Sequence, residues 1–262
     1  MIKAKKSLGQ NFLVDLDLID LIVNSVVINN QSILEVGPGT GNLTKKILEK
    51  NPKRLIVIEK DNDLAVLLKS NLGSKIDIIN SDVLKINENL LCKEKLIVFG
   101  NLPYNISTEI LCKWILNIKN ENFWFSHLVL MFQKEVADRI IALPDTKNFG
   151  RLSIISNWKL NIKKICDVKP SSFSPKPKID STILYFEPKQ NFLKLDNPKN
   201  LEKITRTFFA HRRKMIKKPF NLLFNGNEDV IKKLKIELNL RPQNLDYETY
   251  FKLAKEYEKL GG

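Results

Sequence analysis

The run Gly100-Asn101-Leu102-Pro103-Tyr104-Asn105-Ile106-Ser107 places an amide acceptor, a backbone carbonyl and a flat aromatic face side by side. Such a set can act on an amine whose lone pair is delocalised into an aromatic ring. Acceptors at the two N–H groups draw the nitrogen toward tetrahedral geometry and free the lone pair to attack an electrophilic methyl group. The Asn101 side-chain oxygen and the Leu102 carbonyl can be those acceptors. Pro103 fixes the turn and has no N–H to compete for the site. Tyr104 offers a surface on which an extruded base can stack. Taken alone, Asn followed by Pro is also what an ordinary β-turn uses.

Three earlier segments favour the chemical reading. Glu35-Val36-Gly37-Pro38-Gly39-Thr40-Gly41 is a glycine-rich turn leading into a helical pattern. Gly37 and Gly39 let the backbone approach a ligand closely, and the helix N-terminus aims at it. The spacing is G-x-G-x-G, not the G-x-G-x-x-G of dinucleotide binders. Glu59 ends the next strand-like run, where a carboxylate can accept from both hydroxyls of a ribose. That fits NAD and S-adenosylmethionine equally. Asp82 follows the third run and can accept from an adenine amine, although an Asp there is often only a turn or cap residue. Together these residues predict a line of ligand contacts along the carboxyl edge of an α/β sheet.

The elements that must hold this line alternate. Short apolar runs at Ser32–Val36, Arg54–Ile58, Ile76–Ile79, Leu96–Phe99 and His127–Phe132 predict strands. Helical spacing at Asp15–Val27, Leu43–Lys50, Asp61–Ser70, Ser107–Leu116 and Lys134–Leu143 fills the gaps. The pattern predicts a mostly parallel sheet with helices on both faces. Lys159–Ile165 and Thr182–Phe186 lack a crossover helix between them and predict an antiparallel pair at one edge. After the polar stretch Glu187–Asn191, helical patterns run over Leu201–Phe209, Val230–Leu238 and Tyr247–Leu260. The expected division is an α/β domain over 1–188 and a small all-α domain over 189–262.

Charge points to the partner. The 262 residues hold 43 Lys and Arg against 29 Asp and Glu, a net +14. The tail 189–262 carries 17 of the basic and 9 of the acidic residues, so its charge density is the higher. A polyanion is implied, nucleic acid before an anionic membrane. Arg206, Arg212, Arg213, Lys214, Lys217 and Lys218 crowd together and suit phosphate contacts. Nothing approaches the roughly 18 apolar residues of a membrane span, and the N-terminal run lacks the apolar core of a signal peptide. Cys92, Cys112 and Cys166 form no C-x-x-C pair and fit a reducing cytoplasm. With only His127 and His211, no histidine-rich metal site is expected. Trp114, Trp124 and Trp158 read as core or interface residues, His127 as a buried strand histidine, and Lys163-Lys164 as a solvated face.

Over Lys6 to about Tyr257 the sequence resembles the adenine dimethyltransferases of small-subunit (16S) ribosomal RNA. The resemblance rests on Ser7–Leu13, Glu35–Gly41, Val57–Glu59, Asn101–Ser107, Phe173-Ser174-Pro175-Lys176-Pro177-Lys178-Ile179-Asp180-Ser181 and His211–Lys214. It implies a Rossmann-like, S-adenosylmethionine-dependent methyltransferase domain, with a helical C-terminal RNA-binding domain. It implies dimethylation of two adjacent adenosines in the 3′-terminal hairpin loop of 16S rRNA, within a small ribosomal subunit or its precursor, by a monomer that uses no metal. By the same resemblance Asn11 and Leu13 close over the methyl donor and Gly37 meets its amino-acid part. Glu59 holds the ribose, Asp82 the adenine amine, and Asn101 lies beside the methyl group. Phe173 is expected to face Tyr104 across the base, although the residues alone suggest a core or edge aromatic. Ile179 and His211 stand where similar sequences often have Val and Gln. A large-subunit (23S) rRNA methyltransferase usually has Ile where Leu102 stands, and a DNA adenine methyltransferase usually has two prolines before the Tyr. A non-catalytic assembly factor on the same scaffold would not need Glu59 and Asn101 intact.

Overall fold

The structure is a computed structural model that describes residues 4–5, 8–118 and 121–262. Ser7, first residue of the Ser7–Leu13 block, lies outside the described residues, as do Lys6 and Met1–Lys3 of the N-terminal run. In chain order the elements are β1 (Phe12–Leu13), α1 (Leu16–Val23), β2 (Ser32–Val36), α2 (Asn42–Glu49), β3 (Arg54–Glu59), α3 (Asn62–Leu72) and β4 (Asp77–Asn80). Then come β5 (Leu96–Asn101), α4 (Ser107–Leu116), β6 (Phe125–Gln133), α5 (Lys134–Ile140), α6 (Arg151–Lys159), β7 (Leu160–Val168), β8 (Phe173–Ser174) and β9 (Ser181–Pro188). The last four are α7 (Lys199–Phe209), α8 (Lys217–Phe224), α9 (Glu228–Leu234) and α10 (Tyr247–Lys259).

Among the described residues seven strands form one sheet in the order β4-β3-β2-β5-β6-β9-β7. Strands β4 to β6 are parallel, and β9 runs antiparallel to β6. The runs are apolar on both faces because helices cover both sides of a parallel sheet; every residue of β2 is buried. The two late strands do not simply add to the edge in chain order. β9 inserts between β6 and β7. A separate two-stranded antiparallel ribbon joins β1 to β8, pairing Leu13 with Phe173.

Some elements differ from the sequence pattern for identifiable reasons. The apolar spacing beyond Val23 is not helical, because α1 stops at its C-cap Asn24. α6 was invisible to helical periodicity because it is buried nearly all round, with Ile154, Ile155 and Trp158 beside Ser153, Ser156 and Lys159. α8 carries Pro219 in its first turn, where proline is tolerated. α9 ends at Leu234, since Lys235 adopts a left-handed conformation at φ 51°.

The chain forms two units. The first takes Met1–Ile110, Glu121–Ala137 and Ile162–Pro188. Its core joins Ile33, Val57, Phe99, Val129 and Ile183 from the sheet to Ile19, Ile22 and Ile47 from the helices. The second unit is larger than the 189–262 tail, because Leu111–Asn120 and Asp138–Asn161 belong to it. There Phe149 packs edge-on against Phe209 and Tyr247, and Phe208 against Tyr250. Lys159 is buried in this unit and donates from Nζ to the carbonyls of Ile115 (3.2 Å) and Ile118 (2.9 Å), at the end of α4. Burial pushes its pKa down to about 8. Trp114, Trp124 and Trp158 are buried. His127 is half-buried, not buried: β6 turns it toward Tyr185, with ring centroids 5.6 Å apart, and its Nδ1 lies 3.1 Å from Ser126 Oγ. Lys163 and Lys164 are exposed, as a solvated face requires.

Candidate active site

Register places the chemistry. Val36 pairs with Ile58 on one side and Gly100 on the other, and Glu59 pairs with Asn80. The parallel strands β4, β3, β2 and β5 therefore deliver Asp82, Glu59, the Gly37–Gly41 turn and Asn101 to one edge. Between β2 and β5 the strand order reverses, which is where open α/β sheets bind ligands. A cavity of about 300 Å³ lies there within the first unit, at the small end of the roughly 300–1,000 Å³ typical of ligand sites. Its walls include Asn11, Leu13, Gly37, Gly39, Glu59 and Asp82, and also Asn101, Leu102, Pro103 and Tyr104.

The glycine turn needs its glycines. Gly39 has φ 58°, and a Cβ there would sit 2.8 Å from the Phe12 ring, which the N-terminal segment lays on the loop. Gly37 has φ 71° and faces the Asn101 carbonyl across a narrow gap, 3.5 Å from where a Cβ would be. α2 starts directly after Gly41 and points its N-terminus at the cavity. Asn42 Nδ2 donates to the Leu13 carbonyl (2.7 Å), which ties the strap, the N-terminal segment up to Leu13, to that helix.

Glu59 is 6% exposed. Its Oε2 accepts from Gly39 N (3.2 Å) and its Oε1 from Asp61 N (2.9 Å), so the carboxylate is oriented before any ligand arrives. Burial raises its pKa, opposed by those two backbone donors. Asp82 does two things at once. Oδ1 caps the turn at Leu84 N (3.0 Å) and Oδ2 meets Lys60 Nζ (2.7 Å), whose hydrogen bond holds the carboxyl below its usual range. Asn101 Nδ2 donates to the Asn11 carbonyl (2.9 Å). That bond fixes the amide, and among the described residues Oδ1 accepts nothing. Tyr104 shares a hydrogen bond of 2.5 Å with Ser181.

Two candidate residues sit differently. Phe173 is 2% exposed, packs in the core with Leu13, Val168 and Ile183, and is not part of the cavity wall. Its pairing with Leu13 in the β1–β8 ribbon turns the ring inward, so it does not face Tyr104 in this structure. Arg212 is partly covered: Nε donates to Gln243 Oε1 (3.1 Å) and Nη2 to the Thr146 carbonyl (3.0 Å), which makes it a brace within the second unit. Arg206, Arg213, Lys214, Lys217 and Lys218 are exposed in that unit.

Sequence reasoning passed over several residues of the site. Glu35 lines the cavity and is 1% exposed; its Oε2 and the buried Thr44 Oγ1 make no hydrogen bond of good geometry, although the nearby Thr44 hydroxyl still favours the charged carboxyl and partly offsets its burial. Burial pushes its pKa up to about 8. Asp61 clasps the strap, accepting from Lys5 Nζ (2.7 Å) and Gln10 Nε2 (2.8 Å). Burial acts upward on this carboxyl but is outweighed by Lys5 and Gln10, which keep it below its usual range. The Asp-x-Asp of a helix cap was the only hint of Asp61; nothing local marks Lys5. Among the described residues no group of three or more His, Cys, Asp or Glu could hold a metal ion, and no helix is long and apolar enough to cross a membrane.

A doubly wound sheet with a glycine turn, a buried strand-end acid and an Asn-Leu-Pro-Tyr loop on its carboxyl edge defines a Rossmann-like methyltransferase. A family comparison narrows this: residues 1–259 match the ribosomal RNA adenine dimethylase family, and the chain belongs to it. It is 63% identical to the ribosomal RNA small subunit methyltransferase A of Pelagibacter ubique (strain HTCC1062), over 100% of this chain and 99% of that one. Its counterpart in Wolbachia sp. subsp. Drosophila simulans (strain wRi) is 41% identical, over 99% and 96%. Among solved structures, a dimethyladenosine transferase from Plasmodium falciparum aligns with TM-score 0.80 at 29% identity, covering 95% of this chain and 98% of that one. A 23S rRNA methyltransferase shares the fold at TM-score 0.69 and 21% identity, covering 95% and 100%.

Proposed function

We propose that the protein dimethylates the exocyclic amines of two adjacent adenosines in the 3′-terminal hairpin loop of 16S rRNA, with S-adenosylmethionine as methyl donor, during assembly of the small ribosomal subunit. The observation that carries this reading is the fixed Asn101 amide: its Nδ2 is held by the Asn11 carbonyl, and its oxygen, which accepts nothing among the described residues, is available to a substrate amine. The donor supplies an electrophilic methyl on a sulfonium. The residues around the cavity fit such a molecule. The oriented Glu59 carboxylate suits a ribose diol and Asp82 an adenine amine.

Tyr104 holds the extruded base, and Asn101 Oδ1 with the Leu102 carbonyl accepts from the amine's N–H groups. As the N–C bond forms and the C–S bond breaks, the nitrogen becomes cationic and strongly acidic. Its proton can leave to water, so no general base is required. For the second transfer the amine rotates and one acceptor faces the new methyl. Exposed Arg206, Arg213, Lys214, Lys217 and Lys218 suit phosphate contacts that position the RNA. The test is single-turnover methylation of a small-subunit precursor with labelled donor. Asn101→Ala is expected to lower the rate about a hundredfold, the cost of one preorganised transition-state contact. Glu59→Ala is expected to weaken donor binding roughly ten- to a hundredfold. Full activity in Asn101→Ala refutes the mechanism, and unchanged donor affinity in Glu59→Ala refutes the cofactor assignment.

A further inference from the structure

The Tyr104 ring is held at both ends. Its backbone belongs to a turn closed by Ile106 N to the Pro103 carbonyl (3.1 Å), and Ser107 Oγ donates to the Tyr104 carbonyl (3.3 Å). At the far end the phenol hydroxyl meets Ser181 Oγ at 2.5 Å. Ser181 has no solvent exposure. It opens β9, opposite Gln133 of β6, and the neighbouring Lys134 N–H to Asp180 carbonyl bond (3.0 Å) fixes where that strand begins. A flexible anchor would let the ring swing about its side-chain torsions. This one is set by a strand flanked on both sides, by β6 and β7.

A base stacked for in-line methyl transfer tolerates little rotation of the surface beneath it. The ring's orientation is therefore part of the chemistry, and the atom that sets it is a hydroxyl of the Phe173–Ser181 block. That block shares the site although Phe173 itself is buried away from the cavity. We infer that Ser181 is a positioning residue for Tyr104: its hydroxyl locks the aromatic ring as the stacking wall for the target base. The inference rests on the dimethyltransferase reading above. It places the contribution of the block in its last residue and not in its first.

The experiment is a double-mutant cycle on the full chain, using single-turnover methylation with Ser181→Ala, Tyr104→Phe and the pair. Tyr104→Phe leaves β9 untouched, so it reports even if Ser181→Ala folds poorly. Each single variant is expected to slow the step about fivefold, the fold-change for one neutral hydrogen bond. Dissociation constants for donor and RNA are expected to stay unchanged. The double variant is expected to be no slower than the worse single one, because the two share one interaction. With 2-aminopurine in place of the target adenine, both single variants are expected to show brighter bound-state fluorescence as stacking loosens. Multiplied losses in the double variant, full activity in Tyr104→Phe, or losses confined to substrate affinity overturn the inference. Absence of methyl transfer by the wild-type chain would instead remove the reading on which it rests.

Discussion

Glu35 gives the most quantitative prediction. Its carboxyl is 1% exposed, Oε2 makes no hydrogen bond of good geometry, and burial raises its pKa from 4.5 to about 8. The folded chain then binds this proton more tightly than the unfolded chain, so stability falls as pH rises through the window from about 4.5 to about 8. A tenfold difference in proton affinity between the two states corresponds to about 1.4 kcal/mol. The wild-type protein therefore loses about 3 kcal/mol between pH 4.5 and 7, and about 5 kcal/mol once pH exceeds 8. Glu35→Gln keeps the shape and cannot titrate; whatever its amide costs is constant with pH. Urea unfolding of both proteins without donor, at pH 5, 7 and 9, should show the variant gaining on the wild type across that range and a constant difference beyond it. Curves that stay parallel within about 1 kcal/mol would refute the claim that burial of this carboxyl outweighs what its neighbour Thr44 returns.

Asp61→Asn should free Lys5 and Gln10 from the clasp and speed donor release about tenfold, as expected for losing a charge-assisted bond; stopped-flow release at the wild-type rate would show that the strap is held elsewhere. Neutralising Arg213, Lys214 and Lys217 together should flatten the salt dependence of RNA binding by about 0.7–0.9 log unit per lost contact, with donor affinity unchanged. Arg212→Ala should instead lower the melting temperature, because it removes the brace to Thr146 and Gln243; a salt slope that responds to Arg212 alone would reverse these roles. Lys159 has its folded pKa depressed to about 8, so the unfolded chain binds more protons above that value and wild-type stability should rise toward pH 10.5 relative to Lys159→Met, by about 3 kcal/mol. A pH-independent difference in thermal unfolding counts against the buried ammonium.

Much of the fold could be read in advance because its signals are local. The apolar runs of β2 to β6 and the amphipathic α2 and α3 announce themselves within a few residues, and parallel order places their carboxyl ends together. Glu59 and Asn101 were legible for the same reason: each ends or follows a strand. What could not be read depends on pairing across long distances. The two-residue strands β1 and β8 are too short to show alternation, yet their pairing buries Phe173 and takes it out of the cavity wall. α6 has no polar face to give it a period. Arg212 looks like its basic neighbours until Thr146 and Gln243 arrive from distant segments. Lys5 reaches Asp61 across 56 positions, and Ser181 reaches Tyr104 across 77; no spacing rule reports either.

The β1–β8 ribbon also sets a timetable. Leu13 is made near the beginning of synthesis and finds Phe173 only after 160 further residues have left the ribosome. β9, which carries Ser181 and separates β6 from β7, comes later still. A nascent chain that has emerged only as far as the Asn-Leu-Pro-Tyr loop owns every strand-end acid and glycine of the site and the Asp61 and Asn42 holds on its strap, but the strap lacks its β8 partner and the tyrosine has nothing to lean on. Contacts of such high sequence separation form late and slowly. Methyl-transfer competence should therefore appear near the end of translation in a single step and not grow with length.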